Sequence, residues 1–186
     1  MNGKEHIFFG LASSVTVVSI ITKYGGTVPV TNLGVVMASA ALGSLLPDID
    51  TPDSTLGRLI KPVSYAINNK FGHRTITHDI LAAIIAFIVS FFVGNQIFFG
   101  IMLGILSHLF LDGLTRSGVT FNYLYNAQFF MDGCSYSGKG IVHLLPKFLR
   151  CYSGGFVSWI YTMLDCAACL LLFYRLDLWS LYPNFA

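Results

Sequence analysis

Residues 80 to 94 carry one polar side chain, Ser90, and residues 97 to 106 carry none. Only Gly94-Asn95-Gln96 parts the two runs, which reads as two helices joined by a tight turn. Such a hairpin has no polar face to give to water, so it belongs in a large core or in lipid. Further apolar segments lie at about 7–22, 30–47 and 156–175, and with 79–94 and 97–113 they make five. Charge decides between core and lipid. Charged residues are 11% of the chain, against roughly 25% in ordinary soluble domains, and 54% are hydrophobic. A soluble all-helical protein of 186 residues would lack the polar groups to cover itself. The expectation is an all-α fold: an integral membrane helical bundle of about five apolar helices, forming a single domain over 1–186.

A net charge of +2 makes no case for nucleic acid, and none is expected as a stable partner. Cys134, Cys151, Cys166 and Cys169 do not form a disulfide framework in so apolar a chain. Cys166-x-x-Cys169 has no second pair and reads as core packing rather than a metal or redox site. Lys4 and Glu5 lead straight into the first apolar segment without a convincing small-residue cleavage site, so no cleaved signal peptide is expected.

Two longer connections hold most of the polarity. The stretch from Pro47 to about Asp79 is expected to contain a short amphipathic helix around Leu56–Asn69. The stretch 114–155 is rich in Gly, Tyr and Phe and reads as irregular or interfacial, with Gly138-Lys139-Gly140 as a turn rather than a phosphate loop. If the five segments are spans, the N-terminus and both long connections share one face, which holds nine of the eleven Lys and Arg residues. Lys23 and Arg175 are left on the other. This bias places the N-terminus and the long connections in the cytoplasm.

The chemistry-bearing residues gather at the same ends. His6 precedes the first span, Asp48 and Asp50 close the second, His73 and His78 open the third, and His108 and Asp112 end the fourth. A lone His or Asp in a span usually satisfies a neighbouring helix, but seven on one face are hard to explain as packing. Imidazole with carboxylate suits zinc, and also manganese or iron. His108-x-x-x-Asp112 sets two ligands on one helix face, one turn apart. Seven ligands exceed one tetrahedral site, so two ions are expected, and the count allows a third. Arg74, beside two candidate ligands, is a candidate phosphate clamp, against the plainer reading of a snorkelling side chain. Asp50 is alternatively a general base. Asp79 either hydrogen-bonds a ligand histidine or caps the next helix, and Thr51, Ser54, Thr75, Thr77 and Thr115 could orient carboxylates. Asp165 stands midway in the last span, where a packing and a site role weigh equally; His143 reads as a surface residue.

These residues carry a resemblance. The early His6, "LLPDIDTPDSTLG" at 45–57, "FGHRTITH" at 71–78 and "LSHLFLDGLTRSG" at 106–118 are similar, in order and spacing, to the YdjM-type membrane-bound metal-dependent hydrolases of bacteria. The match covers about the first two-thirds of the chain, with every motif inside residues 1–118. Thr75 and Asp79 stand where that family usually has glycine and serine. The resemblance implies a distant relation to the zinc-dependent phospholipases C and the single-strand nucleases, helical enzymes that hydrolyse phosphoesters with clustered metals. It implies a hydrolase of the bacterial cytoplasmic (inner) membrane that cleaves a phosphoester or pyrophosphate by metal-activated water, and the depth of the site suggests that a lipid carries the substrate. The alternative is a metal transporter or a metal-binding membrane protein without hydrolytic activity. Transport wants polar residues across the whole bilayer, and spans one, three and four have none of weight on their far halves.

Overall fold

The computed structural model describes residues 3–25, 32–72, 76–93, 95–116, 118–120, 141–142, 144, 150 and 155–181. Helix α1 spans Gly3–Lys23 and α2 spans Leu33–Gly43, followed by a 3-10 helix at Pro47–Asp50. Helix α3 covers Lys61–Phe71; a second 3-10 helix, Ile76–His78, leads into α4, Ile80–Val93, and then α5, Gln96–Gly113. A two-residue antiparallel pairing of Val119–Thr120 with Ile141–Val142 follows. Helix α6 spans Phe156–Arg175 and ends in a 3-10 turn at Leu178–Leu181.

The expected all-helical membrane bundle is present. Residues 3–23, 33–50, 96–113 and 156–175 are long and apolar enough to cross a bilayer, while α4, at 14 residues, is shorter. Proline punctuates the first long connection. Pro47 opens its 3-10 helix, so α2 stops short of it. The amphipathic helix expected around Leu56–Asn69 begins instead at Lys61, because Pro62 sits in its first turn, where a missing N–H costs nothing. Asp79 Oδ1 accepts from the Leu81 N–H and caps α4, and Asn95 Oδ1 does the same for α5 through Ile97.

Helix α5 is the axis of the bundle, 67% buried where α6 is 17%. Its contact with α2 is made by small residues. A Cβ on Gly104 would strike the Ala40 carbonyl and lie 2.6 Å from the Ser44 nitrogen, and one on Gly100 would strike Ser39 Oγ. From the other side, a Cβ on Gly43 would lie 2.5 Å from the Ile101 carbonyl. Gly100-x-x-x-Gly104 is thus the small-residue spacing that lets membrane helices touch backbone to backbone. The main chain just before α2 joins in: Asn32 N–H donates to Gln96 Oε1 at 2.9 Å. Helices α2 and α5 therefore start together, and α2 ends beside Gly104 while α5 runs on to Gly113.

Helix α1 lies alongside. Its hydroxyls at Ser13, Ser14, Thr16, Ser19 and Thr22 donate to carbonyls three or four residues back on the same helix, so they need no outside acceptor. Lys23 donates to the carbonyls of Leu176 and Asp177 beyond α6, which puts the last turns of α1 and α6 at one end. Cys166 and Cys169 are free and pack against Phe9, Leu111 and Leu114. Phe91, Phe92, Leu170, Leu171 and Leu172 all point outward, an apolar periphery that fits lipid.

Candidate metal centre

Four stretches deliver polar side chains to the end of the bundle opposite Lys23. The first turn of α1 brings His6, and the 3-10 helix after α2 brings Asp48 and Asp50. The 3-10 helix before α4 brings His78, and the last turns of α5 bring His108 and Asp112. His6, Asp50, His78, His108 and Asp112 are fully buried, and the Asp48 side chain is 16% exposed.

Ligand-type atoms from these stretches converge without touching. His78 Nε2 lies 3.3 Å from His108 Nε2 and 3.5 Å from Asp112 Oδ2. His108 Nε2 lies 3.6 Å from Asp112 Oδ2, and Asp48 Oδ1 is 3.7 Å from His78 Nε2 and 3.8 Å from His108 Nε2. On the other oxygen of Asp112, Oδ1 lies 3.6 Å from His6 Nε2. The carboxylate–imidazole separations are too long for hydrogen bonds. At 3.5 to 3.8 Å they are somewhat longer than the edges of a coordination tetrahedron, since ligands about 2.0–2.1 Å from one ion stand roughly 3.3–3.4 Å apart, and a small inward shift would bring them to that spacing. His78, His108 and Asp112 form one group that could hold an ion; His6, Asp48 and His108 form another.

The histidines are set up as ligands. His108 Nδ1 lies 2.6 Å from the main-chain carbonyl of Ser44, an acceptor only, so Nδ1 carries the proton and the Nε2 lone pair faces the cluster. The glycine seam makes this possible, because Gly104 brings Ser44 within reach one turn before His108. His6 stacks on His108 with ring centroids 3.7 Å apart, and neither of its nitrogens has a hydrogen-bond partner among the described residues. An imidazole buried without a partner is costly, and an ion would supply one. Burial alone would lower the His78 imidazole; the carboxylates of Asp112, Asp48 and Asp50 around it win and raise it to about 10. The three carboxylates thus hold a positive charge at this ring, which a proton on His78 carries and which a metal ion bound in its place would carry. The residues fit a metal ion.

Asp50 belongs to this site in a different way from Asp48. Its Oδ2 accepts the Thr77 hydroxyl at 2.6 Å and lies 3.5 Å from His78 Nδ1, the ring nitrogen turned away from the cluster. Its Oδ1 accepts the Thr51 hydroxyl at 3.1 Å. Asp50, expected as a ligand or general base, thus stands behind His78 as an orienting carboxylate. Thr77 also lies 3.1 Å from His78 Nδ1, so hydroxyl and carboxylate support the ring together. Ser54 donates to the main-chain carbonyl of Asp48, and Thr115 to that of Asp112, so both hydroxyls secure turns rather than carboxylates. Asp165 lies on α6 and is in neither of the two ligand groups. His73, Arg74, Thr75 and His143 lie outside the described residues, as do Cys134, Cys151 and Gly138-Lys139-Gly140.

Two residues of weight carry no motif. Ser44 acts through its backbone. Glu5, fully buried beside His6, accepts the Ser158 hydroxyl at 2.6 Å and ties the start of α1 to the start of α6. A charged residue in a first apolar turn was the available signal for Glu5.

Fold and site together define a helical membrane protein with a buried imidazole–carboxylate cluster able to hold a metal ion. The chain belongs to the family of YdjM inner membrane proteins, whose model matches residues 1–176. It is 37% identical over 121 residues to a Bacillus subtilis (strain 168) protein, the uncharacterized YvsG, covering 64% of this chain and 71% of that one. It is 36% identical over 130 residues to the inner membrane protein YdjM of Escherichia coli (strain K12), covering 64% of this chain and 63% of the relative, just under two thirds of its length. No solved structure matches the chain.

Proposed function

We propose that the chain is a metal-dependent hydrolase that cleaves a phosphoester or pyrophosphate of a lipid-linked substrate at the cytoplasmic face of the membrane. One observation carries this reading: ligand atoms of His78, His108, Asp48 and Asp112 stand 3.3 to 3.8 Å apart, the spacing of groups around an ion. Zinc suits this donor set, with manganese or iron as substitutes. Asp112, with one oxygen toward His6 and the other toward His78 and His108, belongs with His6, Asp48, His78 and His108 to the residues that would hold two ions.

Divalent ions held there would supply positive charge and make bound water more acidic, the chemistry a phosphoester hydrolase needs. The protein's own contribution is placement. The Ser44 carbonyl and the Thr77–Asp50 pair aim two imidazoles at one centre. Asp48 is the partly exposed member, so substrate and water reach the cluster at its edge. Arg74, four residues before His78, is the candidate clamp for a phosphate, and His73 beside it a further ligand. The cluster lies where spans end, which supports a site near lipid headgroups, and the nine-to-two Lys/Arg bias supports a cytoplasmic position for that end.

The test has two stages. Purified protein should carry divalent metal, and His78→Ala and Asp112→Ala should deplete it; absence of metal from wild type would sink the site itself. Wild type should then release phosphate from extracted membrane lipids, and His108→Ala should lower that release about a hundredfold or more. Bound metal with equal release by both proteins would reject hydrolysis and leave metal binding or transport.

A further inference from the structure

Helix α3 is held to the bundle by little of its surface. Of its 11 residues only Ser64 is buried, while Val63 and Tyr65, and Leu59 just before the helix, are exposed. A shallow groove along one flank is lined by Pro62, Val63, Ala66, Ile67, Lys70 and Phe71. Those positions recur every four residues in adjacent pairs, so they form one continuous stripe on the helix. The stripe is apolar apart from Lys70, whose Nζ sits 5.2 Å from the centroid of the Phe71 ring.

Charge completes the pattern. Arg58, Lys61 and Lys70 fall within the stretch from Ser54 to Gly72, which contains no aspartate or glutamate. The helix is also fixed in depth. Asn68 Nδ2 donates to the main-chain carbonyl of Asp50 at 2.7 Å, which pins α3 to the turn that ends the second span. An apolar stripe with uncompensated cations, held where spans end, matches both halves of an anionic phospholipid. Tyr65, exposed on the same helix, has the amphipathic ring favoured at headgroup level.

We propose that this flank of α3 binds anionic phospholipid of the surrounding bilayer, with an acyl chain in the Val63–Ile67–Phe71 groove and the headgroup phosphate on Lys70, the cation that lines it. The proposal is independent of the hydrolase reading, and its test does not use activity. Hydrogen–deuterium exchange is followed on the α3 amides of the full chain, in nanodiscs of phosphatidylcholine alone and of phosphatidylcholine with phosphatidylglycerol. Exchange should be about fivefold slower with the anionic lipid, the effect of roughly one lysine–surface attraction. In Lys70→Gln protein the difference should vanish while α5 amides exchange as in wild type. Equal exchange of wild-type α3 in both lipids overturns the proposal, whether slow in both, with neutral lipid or the chain's own segments covering the stripe, or fast in both, with water covering it. The wild-type comparison decides by itself should the variant fail to fold.

Discussion

His78 and His108 face each other across 3.3 Å, yet the two regions that hold them are built on different principles. His108 is fixed by a carbonyl of the neighbouring helix, which reaches it because glycines let α2 and α5 meet backbone to backbone. His78 is fixed by side chains, Thr77 and Asp50, from two short 3-10 turns. One half of the site is an outcome of helix packing, and the other is a local polar motif. The difference teaches where each half is vulnerable: the first to volume, the second to loss of a hydrogen-bonding group.

The largest expected effect comes from adding volume to the packed half. Gly104→Leu should force α2 from α5, cost about 3 kcal/mol or more in resistance to denaturation, and weaken metal binding about a hundredfold by freeing His108. A titration of metal into purified protein beside a thermal melt reads both, and unchanged metal affinity would break the link between seam and ligand. Asp50→Asn keeps the shape of the polar half and removes its charge, so metal affinity should fall about tenfold while stability moves by about 1 kcal/mol or less. Should Asp50→Asn instead abolish binding altogether, Asp50 is a ligand and the contrast between the halves needs redrawing. The smallest effect belongs to the periphery. Ser158→Ala removes the hydroxyl from Glu5 at the α1–α6 contact and should cost about 1 kcal/mol, with metal affinity within roughly twofold of wild type. A larger loss of affinity would make the α1–α6 contact a third support of the site.

The same contrast explains what was legible in the sequence. His6, Asp48, His78, His108 and Asp112 announce themselves because ionisable groups at the ends of apolar runs have few structural explanations. The five apolar segments and the hairpin between α4 and α5 were likewise plain from composition alone. The supports were not. A main-chain carbonyl such as that of Ser44 has no side-chain signature, and its use depends on the register of two helices. Gly100-x-x-x-Gly104 was in view and would have suggested the close α2–α5 contact. Asp48 and Asp50 could not be told apart, since a 3-10 turn of about three residues per turn sends side chains two positions apart in different directions. Pro62, not hydrophobic periodicity, set where α3 begins.

Among the described residues of the cluster, Asp48 alone has exposed surface, 16% of its side chain, while the other ligand candidates have none. Ion exchange then has a single doorway. A chelator in solution can meet the metal only when that carboxylate swings aside, so removal should proceed at the protein's own opening rate and stay flat as chelator concentration rises. Kinetic trapping of this kind would let an ion bound there stay through fluctuations in free metal that a more open site of equal affinity would follow.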